Sequence, residues 1–246
     1  MSAVFKGVGA VLVAMTAAAG VHAGARVTRV VGGGPVIQVL PGPDAMGDSA
    51  AVVIAKAPAE KQQMLKMLAM NGPFSDKVAV VSGTFRGTFW DRGTSGDSVA
   101  ALAMFTSQDG ASWRMVFDRV APEDEGPMDP HWGGVGTDVT YHGATGLGLP
   151  LVPTVRAQVS YYGMAHLYRN GTLLDDAAAV HVMLTSQTRG KARGSSYAYT
   201  CWNCTRNRVE ELHLIVMPPM GKMYPVPGGI LHVMWQRSRG TTTAER

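Results

Sequence analysis

Cysteine and charge are what this chain has least of. It holds two cysteines, Cys201 and Cys204, so one local disulfide is the most it can form. Charged residues make up 16% of the chain, well under the usual quarter. The formal net charge of +4 is too mild for a nucleic-acid binder, which normally carries a dense basic patch. The chain also lacks a G-x-G-x-x-G or P-loop sequence, and strands do not alternate with helices. A nucleotide-binding parallel sheet is therefore not expected. No G-x-S-x-G elbow occurs. The two "GDS" triplets, at 47–49 and 96–98, lack the D-x-x-H partner that a serine hydrolase of that kind needs.

Long apolar runs are missing as well, with one exception at the start. Lys6 precedes the uncharged "GVGAVLVAMTAAAG", which ends at "VHA" over residues 21–23. A basic start, an apolar stretch and small residues at the end make a secretory signal layout for residues 1–23. The run is shorter than the roughly 20 residues a spanning helix requires. The expectation is an exported protein, periplasmic or extracellular, with no membrane span once the signal is removed. What remains suits one domain, residues 24–240, with 24–75 as a loop-rich arm carrying a helix and 241–246 as a disordered tail.

What the chain has in quantity is glycine, thirty residues of it, together with fourteen prolines and short alternating apolar runs. One convincing helix spans 58–70, "PAEKQQMLKMLAM", opened by Pro58, stopped by Asn71-Gly72-Pro73 and striped by Met64, Leu65, Met67 and Leu68. "SAAVVIAK" reads as a strand. From Asp76 onward strands are punctuated by turns, with Asp109-Gly110 and Asn170-Gly171 as hairpin tips. The count predicts a mainly β protein: an antiparallel β-sandwich or barrel of about nine or ten strands with one accessory α-helix.

Four of these runs share a peculiarity. "VHVML" places His181 and Met183 two apart, "LHLIVM" places His213 and Met217 four apart, and "LHVMW" places His232 and Met234 two apart. "GMAHL" reverses the order with Met164 and His166. On a strand, residues two or four apart share a face. His181, His213, His232, His166, Met183, Met217 and Met234 would then converge on one sheet face if the runs are neighbours, while the Leu and Val positions form the ordinary core. Imidazole binds several transition metals, and thioether sulfur selects Cu(I). Copper is thus the implied cofactor, in a protein that binds rather than turns over its ligand. Two other readings stand beside it. The face could pack against a second layer or a protein partner in an envelope or extracellular assembly. It could also line a small-molecule barrel, or supply acid–base groups to a hydrolase.

Cys201 and Cys204 read as a local structural disulfide, with redox or metal chemistry as the alternatives. The stretch 189–208 carries Arg189, Lys191, Arg193, Arg206 and Arg208 with no acid. It is either a solvated loop or a basic rim for an anionic ligand. Glycosidase chemistry is disfavoured because the adjacent Glu210 and Glu211, like Asp175 and Asp176, face opposite sides of a strand. Asp129 and His131, in "MDPHW", make a plain turn as readily as a metal site.

Overall fold

Alternation of apolar and polar residues along each run, broken by glycine and aspartate turns, builds the molecule from strands. A computed structural model describes residues 24–43, 45, 48–72, 74–93, 96–122, 133–191, 197–206, 208–219 and 221–245. The strands are β1 (Arg26–Val31), β2 (Val36–Val39), β3 (Val78–Asp91), β4 (Ser98–Thr106), β5 (Ser112–Val120), β6 (Val135–Tyr141), β7 (Val155–Arg169), β8 (Thr172–Ser186), β9 (Arg189–Lys191), β10 (Tyr197–Tyr199), β11 (Glu210–Met217), β12 (Leu231–Trp235) and β13 (Arg239–Ala244). Two helices, α1 (Asp48–Lys56) and α2 (Ala59–Asn71), lie between β2 and β3.

Eight strands close on themselves in chain order: β2, β3, β4, β5, β7, β8, β11, β12 and back to β2, all antiparallel. This is an up-and-down barrel, the mainly β antiparallel class the pattern implied. Closure leaves no free edge among these eight strands. β6 adds to β7, β1 and β13 add beside β3, and β9 with β10 forms a separate hairpin. The interior is filled by Phe85, Phe89, Phe117, Tyr161, Trp235 and the leucines and valines of β8, β11 and β12. Phe85 packs against Phe89, Phe117 and Trp235, so aromatic rings form a connected part of this core.

Turn chemistry sets the register. Asn170 and Gly171, at φ +50° and +81°, form the tight β7–β8 hairpin that positive φ at both central positions requires. Between β1 and β2, Gly32 lets the backbone approach the core. A Cβ there would lie 2.9 Å from both Phe85 and Trp235.

Three expectations need correction. The stretch read as a strand at 49–56 is α1, in which Ala50 and Ile54 are buried one helical turn apart against Leu65 and Leu151. The accessory helix is thus one of a pair, and the stripe residues Met64 and Met67 have side chains outside the described set. The expected disordered tail is largely β13, where Thr241, Thr242 and Thr243 pair with Arg29, Thr28 and Val27. Its pairing is mostly backbone hydrogen bonding, so its composition carries little apolar signal. The proposed signal, residues 1–23, and Asp129 with His131 lie outside the described residues. No helix among the described residues is long and apolar enough to cross a membrane.

Candidate functional site

β7, β8, β11 and β12, which carry the four His/Met runs, are successive neighbours in the barrel. Their Leu and Val positions point inward, so the His/Met face is the outer one. The pairing register arranges this face in rows. Met183, His213 and Met234 lie directly across from one another, flanked by Ser160 on β7 and Ile37 on β2. The next row is Tyr162, His181, Ile215 and His232. The third is Met164, Ala179 and Met217.

His213 is the centre of the arrangement. Met183 and Met234 are its direct cross-strand neighbours, and His181 and His232 are diagonal to it. The rings of His213 and His232 stack with centroids 5.5 Å apart, and His213 Nδ1 lies 3.3 Å from His232 Nε2. On its other side His213 Nε2 lies 3.0 Å from Glu211 Oε1. Glu211 is fully buried and also accepts from the Thr188 N–H at 2.7 Å, the Thr188 hydroxyl and the Arg189 N–H. An acceptor-only carboxylate in this position takes the proton-bearing nitrogen of His213. That leaves Nδ1 of His213 facing His232 Nε2.

His181 is buried and stacks on Tyr162 with centroids 3.8 Å apart. Its Nδ1 donates to the Tyr161 carbonyl at 3.1 Å, which leaves the lone pair on Nε2, a buried atom with no hydrogen-bond partner among the described residues. Burial, then the neighbouring His142, hold its pKa well below the ordinary 6.5, with His213 adding to the effect and the Tyr161 carbonyl opposing it. His181 is therefore a neutral imidazole.

His142 has no sequence signal, because nothing in its Gly-rich setting marks it. It occupies the left-handed region at φ +70°, unusual for a side chain of its size. Its Nδ1 accepts the Leu149 N–H at 3.0 Å, which turns Nε2–H toward Met183 Sδ at 3.3 Å. Glu211 does have a signal, the Glu-x-His spacing that puts it on one face with His213.

An outer layer covers this face. Met183 packs with Tyr141, Val155, Ala157 and Cys204. Met234 packs with Ile37, Val39 and Tyr197, and Phe74, just beyond α2, meets the His232 ring edge-on at 6.0 Å. Cys201 and Cys204 are joined in a disulfide, which secures the loop that hydrogen-bonds Thr154 through Trp202 and Cys204.

Two expected ligands stand apart. His166 is four residues along β7 from Tyr162, roughly 13 Å away, and lies between Asp118 Oδ2 at 3.0 Å and Asp176. Met217 is four residues from His213 and as distant. Among the described residues no three His, Cys, Asp or Glu side chains are arranged to hold a metal ion. The chain matches no protein-family model, no curated protein and no solved structure.

Proposed function

We propose that the protein is an exported metal-binding barrel that takes up copper, as Cu(I), at the His213–His232 pair. The observation that carries this reading is the 3.3 Å separation of the two ring nitrogens with Glu211 behind His213. Two nitrogen donors about 2.0 Å from one ion, at a tetrahedral angle, stand about 3.3 Å apart. A carboxylate on the far nitrogen is the usual second-shell support of a metal-bound imidazole.

Met183 and Met234, on either side of His213, favour a soft ion. Among the described residues no three His, Cys, Asp or Glu side chains stand together to hold an ion, so thioethers would have to complete the ligand set. His181 is the next donor. The disulfide and the signal-like start support export.

A second reading has its own support. Met183 and Met234 are packed in apolar clusters, so the face also serves as the seat of the outer layer in a non-catalytic structural or interaction domain. Elemental analysis of the untagged chain after loading with Cu(I) or Zn(II) separates the two. The copper reading expects one tightly held Cu(I) per chain and no comparable zinc; the structural reading expects neither.

A further inference from the structure

The barrel has a polar mouth, built by the same alternation that makes its interior apolar. Leu184 and Leu212 are opposite each other and point inward. Two residues farther along each strand, Ser186 and Glu210 are again opposite and occupy the same inward parity. On β7 a bulge between Ala157 and Val159 reverses the parity: Ala157 joins the outer cluster with Met183, so Arg156, beside Ser186, is turned toward the mouth, with Gln158 at the bulge. Four polar positions thus replace apolar ones at this end, where β13 crosses and Thr242 accepts from Gln158 Nε2 at 3.1 Å.

Above them is an open cleft of about 570 Å³. That is within the range of about 300–1,000 Å³ in which proteins hold single small ligands, and barrel mouths are a usual place for them. Arg206 and Arg208, from the loop after the disulfide, form its rim with Thr205. Neither arginine has a carboxylate partner among the described residues. Arg156 shares Asp138 with Arg26, each at 3.0 Å, so that carboxylate is already neutralised. None of the clustered histidines lines the cleft, so its chemistry is independent of the metal site.

We infer that this mouth binds an acidic saccharide: a sugar unit with one carboxylate, phosphate or sulfate group. The guanidinium groups of Arg206 and Arg208 suit an oxyanion, which such forks engage in pairs of parallel hydrogen bonds. Ser186, Thr205 and Gln158 offer both donors and acceptors to sugar hydroxyls. Glu210 and Asp138 accept hydrogen bonds from sugar hydroxyls.

The test is titration of the full chain, monitored by amide chemical shifts, with glucuronate, glucose 6-phosphate, neutral glucose and inorganic sulfate. Saturable shifts at Ser186, Thr205 and Arg206 with the two acidic sugars are expected, with glucose and sulfate at least tenfold weaker. Arg206→Ala with Arg208→Ala should weaken the acidic sugars tenfold or more; both residues are exposed, so folding persists, and Arg114→Ala, paired with Tyr168 at the other end of β7, should change nothing. Failure of both acidic sugars to bind, equal binding of glucose, equal binding of sulfate, or an unaffected double variant would each overturn the assignment.

Discussion

His213 Nδ1 and His232 Nε2 face each other at 3.3 Å, and Glu211 holds the opposite nitrogen of His213 at 3.0 Å. This chain of three side chains joins two strands, and its inner end is a carboxylate with no exposure to solvent. Among the described residues Glu211 takes four donors, from Thr188, Arg189 and His213. Glu211→Gln keeps the shape but replaces an acceptor with an amide that must turn N–H groups toward other donors. We expect a loss of about 2–3 kcal/mol in urea unfolding, the cost of an unsatisfied buried group with charge-assisted bonds. Cu(I) affinity should fall about 10–100-fold, as it does when second-shell partners of metal-bound imidazoles are removed.

The thioethers carry a separate expectation. Met234 is fully buried among Ile37, Val39 and Tyr197. Met234→Ala should cost about 2–5 kcal/mol through lost packing and the cavity left behind. Met234→Leu should restore most of that stability, since volume-conserving swaps usually cost under about 1.5 kcal/mol. A Leu variant that is stable yet binds Cu(I) less tightly separates ligation from packing at this position.

His181 makes stability depend on pH. Its pKa is lowered by burial and by His142, so the folded chain keeps it neutral where the unfolded chain, near the ordinary 6.5, has begun to take up a proton. The unfolded state then binds more protons, and stability rises with pH. The contribution is complete above about pH 6.5 and is lost as pH falls from there toward the folded-state value. Urea unfolding between pH 5 and 8 should show this slope, and His181→Phe, which keeps a ring on Tyr162, should flatten it.

The disulfide closes a very short loop, Cys201 to Cys204. Cys201→Ser with Cys204→Ser should therefore cost less than the roughly 3 kcal/mol expected of a 15-residue loop. Because the same loop carries Arg206 and Arg208 to the barrel mouth, the sharper change should be in the amide shifts of Thr205 and Arg206. Thermal unfolding and an amide spectrum of the double variant measure the two effects.

The legibility of each element in the sequence depends on what holds that element in place. Strands with one buried face announce themselves by period, and Asn170-Gly171 marks its hairpin because few other pairs tolerate positive φ twice. The inward Leu and Val faces of β8, β11 and β12 are readable for the same reason. α1 is not: Val52 and Val53 favour a strand locally, and the helix stands because Ala50 and Ile54 find Leu65 and Leu151. β13 is hidden because threonines on an added strand carry no apolar signal. Within the site, His181, His213 and His232 can be placed on one face by parity alone. Parity does not measure distance along a strand, which is why His166, on the correct face of β7, ends beside Asp118 and Asp176. His142 depends on a backbone conformation that no neighbouring residue announces, and no local pattern gives the strand order on which the His213–His232 approach rests.

The most direct test of copper binding at the histidine pair is a Cu(I) titration of four untagged chains against a competing chelator: the native protein, His213→Ala, His232→Ala and His166→Ala. A site at the pair predicts one Cu(I) per chain, a loss of affinity of at least tenfold in each of the first two variants, and native affinity in the third. Native-like Cu(I) affinity in both His213→Ala and His232→Ala would contradict it.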